Sequence, residues 1–358
     1  MPREQAIEFT IDYVQVVAPD GVVDADLEPD IPTERLLEMY RAMKFSRRLD
    51  ERAIALQRRG ELGTYAPAIG QEAAQVGSAA ALTEADWMVP SFREQPAYLT
   101  RDTPPHMLLW YAMGMEEGAA VPRANHTMAP SVPVGSQALH AAGLGWAQEI
   151  AGEDAATLAY FGDGATSEGD VYEACNLGGV FRSHTVFLCQ NNQYAISVPR
   201  ANQTRAQTLA QKAIAAGIEG VQVDGNDVLG TYSVVQDALK SARDGNPVFI
   251  EAITYRRSVH TTADDPSVYR KETEEEEWAT RDPIARFETY LREREILDDD
   301  RIVEIEETIE TDLAGEIEQA NEGLETIDPE DMFEYTFATL TPELERQRAA
   351  FRGEADDH

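Results

Sequence analysis

The sequence predicts an α/β fold in which a parallel sheet is covered by helices on both faces. Three observations lead there. From about residue 155, short segments rich in β-forming residues recur: TLAYF, TVFLCQ, EGVQVD and PVFIEAITY. They are apolar almost throughout, as strands buried on both faces are. Each of the first three is followed by a helical or turn-plus-helix segment, the crossover that parallel neighbours require. The chain also has 358 residues and is 43% hydrophobic, enough for a sizeable core. In such a sheet, ligands are expected at the carboxyl ends of the strands.

The elements follow in order. Residues 1–30 are acidic, alternate over Phe9–Val17, and read as an N-terminal arm. Helical periodicity begins after Pro32-Thr33 and ends at Gly60. The small-residue segment IGQEAAQVGSAAAL predicts a second, tightly packed helix. Asp86–Pro90 predicts a short strand ending at Ser91-Phe92-Arg93, and residues 104–118 predict a helix. After a loop rich in Pro, Asn and Met, GSQALHAAGLGWAQEI returns to helix. Residues 274–295 and 300–323 predict acidic amphipathic helices, with Glu274–Glu277 as a solvated first turn favoured by the helix dipole. No internal repeat is present. The expected division is an arm at 1–30, a ligand-binding α/β domain at 31–295 and acidic helices at 296–358.

Charge narrows the function. There are 30 basic and 65 acidic residues, a formal charge of −35. Nucleic acid and anionic membrane surfaces are excluded as partners. Only Lys44, Lys212, Lys240 and Lys271 are lysines; the other 26 basic residues are arginines. Excess carboxylate with scarce lysine resembles the proteins of salt-loving archaea, because molar salt screens carboxylate repulsion within about 3 Å. Cys175 and Cys189 sit in apolar contexts and make no disulfide framework. No apolar signal region and no run of about 20 apolar residues occurs, so a cytoplasmic location is expected.

The stretch GDGATSEGD, residues 162–170, follows the apolar run Leu158–Phe161. A helix is expected from about Ser167. Glycines there allow close backbone approach and unusual dihedrals, and the N–H groups of a turn and helix start favour phosphate. Asp163 would repel a bare phosphate. A diphosphate and a carboxylate coexist when a hard cation, typically Mg²⁺, lies between them. The strand TVFLCQ then ends in Asn191-Asn192-Gln193-Tyr194, about thirty residues after Gly162. Adjacent strands would bring the two loops together. Asn192 and the Tyr194 carbonyl could then complete an oxygen-only site with Asp163.

Gly-Asp-Gly followed at this spacing by Asn-Asn resembles the thiamine diphosphate signature. GDGATSEGDVYEACNLGGVF and CQNNQYAIS are further similar to the α subunit of the E1 component of 2-oxo acid dehydrogenase complexes, of pyruvate, branched-chain and acetoin types. So are IGQEAAQVGSAAAL, VPSFREQP, VGSQALHAAG, VQVDGNDV and YRRSVHTTADDPSVYR, so that the similarity spans about residues 35–295. The resemblance implies that Asp163, Asn192 and the Tyr194 carbonyl hold Mg²⁺, and that Gly164 and Ala165 contact the diphosphate. Phe92 and Arg93 would reach the diphosphate from the neighbouring strand end, where arginine offers a planar two-oxygen fork. Val134 would prop the cofactor into its bent form and Ile196 would flank the pyrimidine. Ser131, Pro133, Ser136 and Gln137 match positions that bind a monovalent cation, K⁺.

Of six histidines, His106, His126, His140, His184 and His358 read as core, loop or surface residues. His260 lies in the polar loop VHTTADDP and matches the histidine that touches the cofactor and serves acyl transfer. It is expected to titrate near neutrality and to move a proton. Thr261 occupies a position phosphorylated in some relatives; with Asp264 and Asp265 it reads here as loop-ordering polarity. The stretch 119–131 is shorter than the family's loop, and His126 matches no family histidine.

About 60 residues follow the diphosphate-binding part, too few for the second sheet domain that cradles the aminopyrimidine. A β chain is therefore expected to complete the site in an α2β2 assembly. The implied reaction is decarboxylation of a small 2-oxo acid and transfer of the acyl group, assisted by His260, to the lipoyl domain of E2. A non-catalytic or regulatory subunit that keeps the Mg-thiamine diphosphate site is the alternative. An NAD domain is excluded, because Gly-x-Gly-x-x-Gly with its later ribose acid is absent in context.

Overall fold

A computed structural model describes residues 4–120 and 125–353. The elements run in this order: β1 (Asp12–Val14), α1 (Thr33–Arg58), α2 (Glu72–Ala80), β2 (Trp87–Val89), α3 (Gln95–Thr100) and α4 (Pro105–Met113). Next come α5 (Ser136–Ala151), β3 (Thr157–Gly162), α6 (Gly169–Phe181), β4 (Thr185–Asn191), the hairpin strands β5 (Tyr194–Ala195) and β6 (Val198–Pro199), α7 (Arg200–Gln203) and α8 (Lys212–Ala215). The chain continues through β7 (Glu219–Asp224), α9 (Val228–Arg243), β8 (Val248–Ile253), α10 (Glu272–Ala279), α11 (Pro283–Glu293), α12 (Asp299–Leu324), α13 (Asp331–Glu334) and α14 (Pro342–Phe351).

Six strands form one sheet in the order β1-β7-β8-β4-β3-β2, and every neighbouring pair is parallel. Strand periodicity sorts the core. Leu158, Tyr160, Val186, Leu188 and Ile250 pack towards Leu49, Ala53 and Leu56 of α1 and Val235 and Leu239 of α9. Ala159, Phe161, Phe187, Cys189 and Phe249 pack on the other face against Ala138 and Ala142 of α5 and Ala174 of α6. Both cysteines are buried thiols, and burial raises their pKa values. Helix α12 joins the first layer through Ile309, Leu313 and Ala320.

Three expectations need correction. The arm is not separate from the sheet: Asp12–Val14 pairs with Val221–Val223 as its edge strand. The chain is held there because Asp227 accepts from the backbone N–H groups of Val16 and Val17 at 2.6 and 2.9 Å. Residues 274–295 are not one helix. They break before Pro283, which lacks an N–H, and α11 restarts under an Asp282 cap that accepts from Ile284 and Ala285. The Glu274–Glu277 turn is only partly a solvated face, since Glu274 accepts from the Tyr194 hydroxyl at 2.8 Å.

Candidate functional site

Parallel register sets the site. Gly162 at the end of β3 pairs with Gln190 of β4, and Asn191 pairs with Ile253 at the end of β8. The loops starting at Asp163, Asn192 and Thr254 therefore leave the sheet side by side. A cleft of about 270 Å³ lies at these carboxyl ends. It brings together the ten positions named from sequence for cofactor and Mg²⁺, Phe92, Arg93, Val134, Asp163, Gly164, Ala165, Asn192, Tyr194, Ile196 and His260, and also Gln137 of the four named for K⁺.

Three oxygens converge in it. The Asn192 side-chain oxygen lies 3.0 Å from the Tyr194 carbonyl oxygen and 3.3 Å from Asp163 Oδ1. No proton separates these acceptors. Nδ2 of the same amide donates to Gln71 Oε1 at 3.0 Å, which turns the Asn192 oxygen inward and leaves the oxygen ligands a hard cation requires. Asp163 is 1% exposed, and burial raises its pKa. Gln203 Nε2 donates to its Oδ2 at 2.5 Å. A buried carboxylate with a second oxygen 3.3 Å away is costly without a cation. The residues thus fit Mg²⁺.

The turn after β3 differs from the expected helix start. Asp163–Ser167 is a single 3-10 turn, Glu168 is extended, and α6 begins only at Gly169. Neither Gly162 nor Gly164 uses a positive φ. Gly164 is required for a different reason: a Cβ there would lie 2.8 Å from the Ala195 Cβ, so the 163–167 turn and the β5 hairpin could not close. Positive φ appears instead at Ile196, φ +56°. A β-branched residue in that region is strained, and strain of this kind gathers at functional sites.

Arg93 is buried and not a surface ion pair. Its Nη1 donates to the Pro67 carbonyl at 2.8 Å and its Nη2 to the His260 carbonyl at 2.9 Å. Nη2 also lies 3.1 Å from His260 Nδ1, and Arg256 Nη1 approaches the same nitrogen at 3.4 Å. Both neighbours are obligate donors, so Nδ1 accepts and the neutral ring carries its proton on Nε2. Burial first, then the Arg93 and Arg256 charges, lower the His260 pKa to about 4. This corrects the expectation of titration near neutrality. Phe92 meets the ring edge-on at 6.1 Å.

Sequence reasoning missed Arg256, which is 0% exposed. Its guanidinium donates to the carbonyls of Tyr194 at 3.2 Å and Ile196 at 2.6 Å and to the Tyr269 hydroxyl at 2.9 Å. It thereby ties the loop after β4 to the histidine loop. Asp264 closes the arrangement by accepting from His260 N at 2.7 Å and Tyr269 Oη at 2.5 Å. Glu94 was also missed, although it follows Arg93 directly. Burial raises its pKa, and it accepts from Arg93 N at 3.0 Å and Gln190 Nε2 at 2.7 Å. The charge pattern signalled neither residue, because buried and solvated ions read alike in a sequence.

A second, mostly apolar cavity of about 610 Å³ shares Phe92, Val134 and His260 with the cleft and is also lined by Tyr98, Leu108 and Thr261. Val134 and Ile196 remain 51% and 57% exposed on the rim. Near the rim, Gln137 Nε2 donates to the carbonyls of Ser131 at 2.6 Å and Pro133 at 3.1 Å, and Ser136 Oγ donates to Pro133 O at 2.8 Å. The structure does not bring the other described histidines to the site. His106 pairs with Glu316, His184 with Glu149, His140 is exposed, and His126 lies tilted against Trp87 and contacts the Glu84 carbonyl. His358 and residues 121–124 of the shortened loop lie outside the described residues.

Comparison with known proteins gives the family. The model of the dehydrogenase E1 component family matches residues 40–327. The chain is 42% identical to the 3-methyl-2-oxobutanoate dehydrogenase subunit alpha of Mycobacterium tuberculosis (strain ATCC 25618 / H37Rv), covering 99% of this chain and 97% of that one. It is 39% identical to the pyruvate dehydrogenase E1 component subunit alpha of Staphylococcus aureus (strain COL), covering 87% and 85%. With the family model spanning most of the chain and near full-length identity of this order, the protein belongs to the dehydrogenase E1 component family.

Proposed function

We propose that the chain is the α subunit of a thiamine diphosphate-dependent 2-oxo acid dehydrogenase that decarboxylates a 2-oxo acid and passes the acyl group to the lipoyl group of an E2 partner. The observation that carries this reading is the oxygen set of Asp163, Asn192 and Tyr194 in one cleft with His260. Asp163, Asn192 and the Tyr194 carbonyl would hold Mg²⁺, with Gly164 and Ala165 against the diphosphate. Thiamine diphosphate, when bound, supplies the carbanion chemistry that decarboxylation of a 2-oxo acid needs. Val134 and Ile196 present apolar surface to it at the rim. Arg93 and Arg256 keep His260 neutral, with a proton held at Nε2 for the acyl-transfer stage.

Among the described residues there is one large sheet, and the rim residues Val134 and Ile196 stay open. This supports a β subunit that completes the site, in an α2β2 assembly. A monovalent cation such as K⁺ is proposed at Ser131, Pro133, Ser136 and Gln137, where Gln137 Nε2 holds the Ser131 and Pro133 carbonyls and its Oε1 is buried without a hydrogen-bond partner. The charge of −35 with four lysines supports a high-salt cytoplasm, and no helix among the described residues is long and apolar enough to cross a membrane. The test is CO₂ release from a panel including pyruvate and 3-methyl-2-oxobutanoate. The chain alone is expected to be inactive and the chain mixed with its β partner active. Robust release by the single chain would refute the half-site reading, and no release by the assembly would refute the catalytic one.

A further inference from the structure

The diphosphate turn is held from behind by a residue that does not line the cleft. Lys212, in α8, donates through Nζ to the Thr166 carbonyl at 2.6 Å and contacts Thr166 Oγ1 at 2.9 Å. Thr166 is fully buried, and its hydroxyl donates to the Asp163 carbonyl at 2.8 Å. One ammonium thus spans both acceptors of the residue that closes the turn begun by Asp163. Nζ also sits 5.3 Å from the centre of the Tyr172 ring, in an apolar recess formed with Val171, Cys175 and Phe249. A compact point charge with three rotatable donors suits two oxygens on one residue, whereas a planar guanidinium suits a flat pair. That is a physical reason for lysine here, in a chain with 26 arginines and four lysines.

The lysine is itself held in place. Glu251 in β8 is 1% exposed. Its Oε2 accepts from Leu209 N at 2.6 Å and Ala210 N at 3.0 Å, which anchors the backbone just ahead of Lys212. Its Oε1 accepts from Asn191 Nδ2 at 2.7 Å, next to the metal-side Asn192. One buried carboxylate therefore registers both the end of β4, next to Asn192, and the segment that carries Lys212. From this geometry we propose that Lys212 is a positioning residue for cofactor binding: through Thr166 it sets the turn that presents Asp163 and Gly164 to a metal diphosphate. The proposal rests on the functional reading above.

The experiment uses the assembly with the β partner. Thiamine diphosphate affinity at saturating Mg²⁺, and the Mg²⁺ midpoint at saturating cofactor, are measured by calorimetry for wild type, Lys212→Met and Lys212→Arg. Lys212→Met keeps the stem over Tyr172 and removes the ammonium. Cofactor affinity is expected to fall about 10-fold or more, the loss of a hydrogen bond from a charged donor, with a matching rise in the Mg²⁺ midpoint. Melting of the cofactor-free assembly is expected to move by only a few degrees. Lys212→Arg keeps the charge but not the compact donor, and is expected to recover only part of the affinity. Affinity within twofold of wild type in Lys212→Met overturns the proposal, as does a loss of affinity that merely follows a large drop in melting temperature. If Lys212→Met does not assemble, the near-isosteric Thr166→Val removes the hydroxyl link from the other side and is judged by the same two criteria. A wild-type assembly that binds no cofactor refutes the functional reading, an outcome separate from a normal wild type with an unaffected variant.

Discussion

Arg93 and His260, 167 residues apart in sequence, are joined twice: Arg93 Nη2 donates to the His260 carbonyl at 2.9 Å and lies 3.1 Å from His260 Nδ1. The first contact fixes the loop, and the second fixes the ring's protonation.

A pH dependence follows. The folded pKa of His260 is about 4, below the 6.5 of an unperturbed imidazole. Between these values the unfolded chain binds the proton and the folded chain does not, so this residue's contribution falls as pH drops from about 6.5 towards 4. His260→Gln removes that contribution. The stability of wild type relative to His260→Gln is therefore expected to decrease across this window and to stay flat above pH 7. Denaturant titrations of both proteins at several pH values check it; a difference that does not change with pH contradicts the assigned ring state.

Asp163→Asn is expected to act in opposite directions on stability and binding. The carboxylate is buried and lies 3.3 Å from the Asn192 side-chain oxygen. Neutralising it should stabilise the metal-free protein by about 1 kcal/mol. The same change removes the charged Mg²⁺ ligand and should abolish Mg²⁺-dependent cofactor retention. Melting curves without ligand and calorimetry with it test the two halves, and a variant that retains wild-type affinity for thiamine diphosphate rejects the metal assignment.

Salt should matter to the whole chain. Lowering salt from molar to about 0.1 M lengthens the Debye length from about 3 Å to about 10 Å. Repulsion within a chain of charge −35 then returns. Loss of helical circular dichroism is expected over that range, and an unchanged spectrum would contradict the high-salt reading.

His260→Ala should separate two stages of one reaction. The oxygen set at Asp163 does not include His260, so cofactor binding and decarboxylation with an artificial electron acceptor should persist at a reduced rate. Reductive acylation of a lipoyl domain should fall by a further factor of about 10² to 10⁴ if the ring is a positioned proton-transfer group. Both rates are read on one preparation. Equal losses would remove the stage-specific role.

Much of the fold was legible because its signals are local. TLAYF, TVFLCQ, EGVQVD and PVFIEAITY are strands in the structure because apolar β-formers bounded by turns have few other ways to be buried. The edge strand Asp12–Val14 was not legible as part of the sheet. It has three residues, two of them exposed, and its place depends on Asp227, more than 200 residues away.

The sequence by itself determined the parallel α/β architecture and the meeting of Asp163 with Asn192 and Tyr194, while its resemblance to a known family named the other residues of the cleft. Strand periodicity and the spacing from Gly162 to Asn191 are properties of adjacent residues and of neighbouring strands. Only the tertiary structure decided the electrostatics. That His260 is neutral, that Arg256 is buried between the two loops, and that Gly164 is required by Ala195 rather than by a left-handed turn all depend on groups brought together from distant segments. Burial and charge proximity act through space, so no local pattern carries them.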